Sequence, residues 1–430
     1  MFKWAIAILM FFETVRVSSQ NSLLNIPELN RAKEDSVKCR ILDLLIEKEP
    51  DPKIWMIYNE EMIHLATARL KNLEGKERFI YLKYLANGLN NKGFDSQDKG
   101  DIDSTLNLFW GSLAIRYDIK DKLGVANSLN NIGHVFFKLA DFKKASEYYL
   151  KAIKVQEEIK DSEGLAISYN NLGSLYDRTK RPEEAIELFN KSLEIRLNNK
   201  DLAGQAYCYN NLGKIYSDNQ DLKRALEYHL KALDIREALH SKNQTGTSYN
   251  NIGLIYLRMN DFEKGKLYLE KALKIHVEIE DKQGESVSLK NLGFLYRGQN
   301  NNDRAIEYFS RSLKIARTLG YPEDILWPSK GLYEIHKEKG NYRESLEMLE
   351  LFQRMRDSVH KNTVTKRIPV ITIKDPTGSS NESLACEELE KEKLALNAQL
   401  LNKNTYILLL TAGFTCALIF IIITFLRRRS

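Results

Sequence analysis

Every forty residues the chain returns to one pattern, and that period narrows what it can fold into. Asn91, Asn131, Asn171, Asn211, Asn251 and Asn291 keep the interval, and Gly93, Gly133, Gly173, Gly213, Gly253 and Gly293 follow two residues behind them. Further along come Thr105, Ala145, Ala185, Ala225, Gly265, Ala305 and Ser345, small or hydroxylated and in the same phase. A fixed period of this length is the mark of a solenoid, where units stack on their neighbours because none can bury its apolar face alone. Such a fold offers a long surface, so binding comes before catalysis among the functions to consider.

Within one unit, Ser162 to Lys200, the apolar spacing is helical. Ala166, Tyr169, Leu172, Gly173 and Tyr176 fall three and four apart and make one face. Lys180-Arg181-Pro182 turns the chain, and Pro182 suits the first turn of a second helix carrying Ala185, Leu188, Phe189, Ser192, Leu193 and Ile195. Asp121, Asp161, Asp201 and Asp281 precede the next units, where aspartate caps a helix. Glycine and alanine at the fixed positions let paired backbones approach, and an aromatic residue fills the gap left between them. The predicted fold is all-α, an α-solenoid of antiparallel helix pairs, with one C-terminal transmembrane helix.

The string Asn-Leu-Gly-x-x-Tyr, then Ala, Phe, and Ala or Ser, resembles the tetratricopeptide repeat, lengthened from about thirty-four residues to forty as in its Asn-Asn-Leu-Gly subclass. The likeness runs over residues 77–360 and is strongest over 122–320. Its edges are irregular: Ser96 replaces the aromatic of the first unit, and Tyr333 stands at the glycine position of the last. Residues 20–76 supply N-terminal helices, with a degenerate repeat within 33–72. The resemblance implies a superhelix whose first helices line a concave groove. Its groove positions map onto Asn90/Asn91, Asn130/Asn131, Asn170/Asn171, Asn210/Asn211, Asn250/Asn251 and Lys290/Asn291. One turn on lie His134, Ser174, Lys214, Leu254 and Phe294, then Lys138, Asp177, Arg178, Asp218, Arg258 and Arg297.

Asparagine is a mediocre helix former, so a repeated mid-helix pair needs a reason. A carboxamide both donates and accepts, which suits it to the backbone of an extended peptide. It equally suits a ladder of asparagines bonding between adjacent units, and both readings stand at this point. The carboxylate clamp of chaperone-binding relatives is not reproduced, because the cations are scattered. Lys214, Arg258, Lys290 and Arg297 favour an acidic partner or make a solvated charged face.

The two ends carry different membrane signals. Trp4 to Phe12 is apolar and ends before Val17 and Ser19, the layout of a signal peptide over 1–19; an N-terminal amphipathic helix is the alternative. Residues 405–426 are free of charge, and thirteen Leu, Ile and Phe fall between Tyr406 and Leu426. As a helix that stretch rises about 31 Å, enough for a hydrocarbon core of about 30 Å. Arg427, Arg428 and Arg429 in the tail 427–430 put it on the cytoplasmic side, with the bulk of the chain exported. Between repeats and membrane, 361–383 reads as a linker with Pro369 and Pro376. Residues 384–404 read as a juxtamembrane helix whose Leu389, Leu396 and Leu400 allow a short coiled coil and a homodimer.

Composition removes other classes. A net charge of +6, with both signs interleaved, gives no basic tract for nucleic acid. The seven histidines show no metal-ligand spacing, His229 sits at a packing position, and no glycine-rich phosphate loop occurs. No catalytic residue, metal or cofactor is expected, nor is a disulfide apparent from Cys39, Cys208, Cys386 and Cys416. The layout is similar to the front half of bacterial tetratricopeptide sensor proteins, without their kinase or DNA-binding part. The sequence thus predicts a membrane-tethered scaffold or sensor that binds a protein or peptide and acts through a separate signalling output protein. A tail-anchored cytosolic adaptor is the alternative, and a relic of a sensor kinase a third reading.

Overall fold

The computed structural model describes residues 26–71 and 73–361. The segments read as signal peptide, juxtamembrane helix, transmembrane span and tail lie outside the described residues, as does all but the start of the linker. Among the described residues no helix is long and apolar enough to cross a membrane.

The described residues form seventeen helices and no strand. A short α1 (Pro27–Arg31) leads into α2 (Asp35–Lys48) and α3 (Pro52–Leu70). Seven pairs follow: α4 (Gly75–Asp98) with α5 (Ile102–Asp118), α6 (Lys122–Lys138) with α7 (Phe142–Ile159), α8 (Ser162–Arg178) with α9 (Pro182–Asn198), and α10 (Leu202–Asp218) with α11 (Leu222–Ala238). Then come α12 (Lys242–Arg258) with α13 (Phe262–Glu278), α14 (Lys282–Gly298) with α15 (Asn302–Leu319), and α16 (Pro322–Glu338) with α17 (Tyr342–Lys361). Each first helix packs on its own second helix, and each second helix on the next first helix, which makes the chain an α-solenoid.

Local chemistry sets the turns. From residue 100 to residue 340, every twentieth residue has positive φ, from 53° to 78°, and only Gly100, Gly320 and Gly340 of these are glycine. The pattern is a Schellman closure: Lys120 N–H reaches Tyr117 O at 3.1 Å and Asp121 N–H reaches Arg116 O at 2.9 Å. Asp121 then caps the following helix, its carboxylate accepting from Gly124 N–H at 3.0 Å. Asp161, Asp201 and Asp281 do the same, as their sequence positions predicted. One residue ends a helix and begins the next, which fixes the spacing at twenty.

The core sits between paired helices. A methyl added to Gly293 would lie 2.6 Å from the Phe309 ring, closer than packed carbons approach, so only glycine admits that ring. Tyr149, Phe189, His229 and Leu269 take the Phe309 position in the other pairs and lie against Gly133, Gly173, Gly213 and Gly253. In the last pair, Tyr333 does not take the glycine role; Gly331, two residues earlier, lies against the Phe309 ring of the preceding pair. Successive pairs are joined at a second fixed position. Arg116 donates to Gly124 O (2.7 Å) and Ser128 Oγ (3.2 Å), and Arg236 to Gln244 O (3.2 Å) and Ser248 Oγ (2.7 Å). These contacts pack the second helices between first helices on either side, and the half-buried Asn90, Asn170 and Asn210 mark the face of the first helices that keeps contact with solvent.

Candidate functional site

That face carries the asparagine pairs. The second asparagine of a pair looks back to the preceding unit and donates its amide to the first asparagine there. Asn131 reaches Asn90 at 2.8 Å, Asn211 reaches Asn170 at 3.0 Å, Asn251 reaches Asn210 at 2.9 Å and Asn291 reaches Asn250 at 3.3 Å. Asn91 donates to Asn59 in α3 (3.0 Å), and Asn59 itself holds Gly88 O at 3.0 Å. The ladder reading is therefore realised, with a register of forty-one residues.

The ladder does not consume every polar atom. Each rung uses one amide hydrogen donor and one carbonyl oxygen, which leaves the donor's oxygen and the acceptor's NH2. Asn130 and Asn250 turn that NH2 forward to Ser168 Oγ (2.7 Å) and Ser288 Oγ (2.9 Å). Asn130, Asn250 and Asn291 are buried, so the structure removes these three from the residues that can touch a ligand. Asn90, Asn91, Asn131, Asn170, Asn171, Asn210, Asn211 and Asn251 are half-buried. Among the described residues, Asn90, Asn170 and Asn210 keep an NH2 that nothing accepts, and Asn131, Asn211 and Asn251 keep an uncommitted oxygen. Asn171 makes no rung, and the Asn130 oxygen it would meet is buried without a partner.

The flanking groups are quieter than their charges suggest. Lys214 pairs with Asp177, and with Asp218 at 3.8 Å; Arg297 pairs with Glu338, and Arg258 donates to Ser217. Burial pushes the half-buried Lys290 ammonium down, with Asp324 acting against that shift. Burial first, and Lys138 second, also push His134 down, so its ring stays neutral near pH 7. Leu254 and Phe294 are half-buried. Of the four cations behind the acidic-partner reading, Lys214 and Arg297 are paired with carboxylates across unit boundaries, whereas Arg258 meets only a serine hydroxyl and Lys290 makes no ion pair among the described residues.

Another row on this face escapes the repeat signature. Four residues ahead of the second asparagine stand Asn127, Ile167, Tyr207, Thr247, Val287 and Trp327. Ile167, Tyr207 and Trp327 are 44%, 48% and 46% exposed, and Val287 is half-buried. The sequence held the signal, since large apolar side chains forty residues apart recur at a position that must face water.

No group of three or more His, Cys, Asp or Glu able to hold a metal occurs among the described residues. His229 is buried against Gly213, and its Nδ1 has no partner. Cys39 and Cys208 are buried free thiols.

With this geometry in place, the comparisons are specific about fold. The tetratricopeptide repeat pattern matches residues 84–158, 124–198, 202–276 and 244–318, together more than half of the chain. The protein belongs to the tetratricopeptide repeat family. No curated protein matches it in sequence. Among solved structures it is similar to aspartyl phosphate phosphatase F from Bacillus subtilis, at 14% identity and a TM-score of 0.57, covering 84% of this chain and 92% of that one. It is also similar to a signal transduction ATPase with numerous domains and a tetratricopeptide repeat sensor from Pyrococcus horikoshii, at 17% identity and a TM-score of 0.55, over 77% of this chain and 54% of that one. The Rap conjugation gene regulator of plasmid pLS20, solved in complex with a Phr peptide, aligns at 14% identity and a TM-score of 0.53, over 77% of this chain and 92% of that one.

Proposed function

We propose that this protein is a scaffold or sensor module that holds an extended peptide, or an extended segment of a protein, along the first-helix face. One observation carries the reading: the ladder leaves an alternating series of unpaired amide donors and oxygens on that face. A peptide backbone presents the same two groups in alternation, and a carboxamide held by its neighbour meets them without first losing its own rotational freedom. The peptide in the Rap conjugation regulator supports the reading as a likeness of fold.

Asn171 provides the test, because it makes no rung and its loss costs the solenoid no bond between units. An array of capped twelve-residue peptides, probed with the protein, is expected to give a subset of hits. Asn171→Ala and Asn90→Ala each weaken those hits about tenfold, the effect of one lost hydrogen bond in a desolvated site, and Asn171→Ala leaves the melting temperature unchanged. Hits that bind both variants as well as the parent overturn the proposal, and so does an array without hits.

The finer part of the proposal is location: export by residues 1–19, anchoring by 405–426, and transmission through a separate output protein. The charge-free span followed by three arginines supports it. Protease protection in sealed cells, with the mass of the mature N-terminus, tests it. A start near Gln20 with digestible repeats is the expected result; an intact Met1 with protected repeats leaves the tail-anchored adaptor.

A further inference from the structure

We propose that the bound segment is apolar and uncharged, with a large side chain at every third residue, and that Ile167, Tyr207, Val287 and Trp327 receive those side chains. This rests on the peptide reading above and adds what the peptide must be.

Charge comes first. On the face in question Lys214 is closed against Asp177 and Asp218, and Arg297 against Glu338, so at these two positions a ligand carboxylate would have to displace existing pairs, while Arg258 is already engaged by the Ser217 hydroxyl. Beside its carboxamides the face exposes hydrocarbon and aromatic ring. Ile167, Tyr207 and Trp327 each keep nearly half their surface in water while lying in one row, and Val287 occupies the same row between the last two. Tyr207 is held in place, its hydroxyl accepting from Gln244 at 2.8 Å, and the Arg236 guanidinium lies 5.9 Å from its ring. The Lys330 ammonium lies 5.6 Å from the Trp327 ring. Two of these receptors are thus aromatic plates braced by the neighbouring protein.

Spacing gives the rest. Adjacent first helices are bridged by one asparagine-to-asparagine bond, which fits axes about 8–10 Å apart. A polyproline-like chain has three residues per turn and rises about 3.1 Å per residue, so three residues advance it about 9 Å and bring the side chain back to the same face. A ligand side chain at every third position meets one row residue per unit, while the backbone between them passes over the asparagines. An every-second pattern falls out of register within two units.

Three capped peptides serve as probes: Ac-(Ser-Ser-Phe)4-NH2, Ac-(Ser-Phe)6-NH2, and the first with Glu in place of each Phe. Titration by fluorescence anisotropy with the full chain is expected to rank the every-third peptide at least tenfold above both others. The triple variant Ile167→Ser, Tyr207→Ser, Trp327→Ser is expected to lose that preference at least tenfold. Leu267→Ser, which removes an exposed leucine from α13, is expected to change nothing. Equal or stronger binding of the glutamate peptide overturns the proposal, as does an unaltered triple variant. If array hits that depend on Asn171 prove charged and ignore the triple variant, the chemistry assigned here fails while the peptide reading survives. If Asn171→Ala weakens no hit, the peptide reading itself falls.

Discussion

At the scale of single residues the protein has placed an imidazole where its other pairs use phenylalanine, tyrosine or leucine. Burial first, and Arg236 second, push His229 down to about 4, against about 6.5 for an unfolded histidine. Between those values the unfolded chain binds the additional proton, so the stability is fully present above about pH 6.5 and is lost as pH falls towards 4. Chemical denaturation at pH 7 and pH 5 is expected to show a loss of about 2 kcal/mol from this group alone. His134, also pushed down, adds a loss of the same sign. The variant His229→Phe, which copies the rings of Phe189 and Phe309, should retain the smaller His134 slope and lose the rest. The asparagine rungs make a second residue-scale expectation. Asn170→Ala and Asn211→Ala share one bond, so a double-mutant cycle on stability should return a coupling of about 1 kcal/mol.

At the scale of elements, identical-looking caps are not equivalent. Asp161 accepts from Gly164 N–H at 3.0 Å, whereas Ser241, in the same place before α12, makes no side-chain cap bond. Asp161→Ala should therefore cost about 1 kcal/mol and Ser241→Ala close to nothing, read from thermal melts. Gly320, at φ 78° with open space around its Cα, should cost about 1 kcal/mol as alanine through backbone strain alone. These elements were legible in the sequence because their causes are local. An aspartate before a helical run, a proline at its first turn and a glycine opposite a ring all act within one unit. Gly331 is the exception. It was missed because it stands at the position of the second asparagine and meets the ring of the preceding pair, so neither the glycine period nor a contact within its own unit marked it.

At the scale of the whole molecule, stability is shared between neighbours and not pooled in one core. Excision of residues 202–241 would bring Lys242 directly after Asp201, in the phase Leu202 now holds, and would set Asn251 opposite Asn170. The shortened protein is expected to keep its helicity per residue and to melt cooperatively; circular dichroism checks both. The functional face was only half legible. The paired asparagines announced themselves by repetition, but whether they bond one another or a ligand depends on how consecutive units are offset, and sequence does not show that offset. The row from Ile167 to Trp327 was missed for the opposite reason. Its residues differ from unit to unit, and their significance lies in being left in water, which emerges only when the helices around them are packed. The forty-one-residue rung has an evolutionary consequence. A rung needs only the unit behind it, so duplicating or deleting forty residues in the gene lengthens or shortens the surface by one step and gives each new neighbour the same partner to bond. The reach of the protein can thus be adjusted by counting units, while the chemistry at each step is altered independently by substitution at a single position.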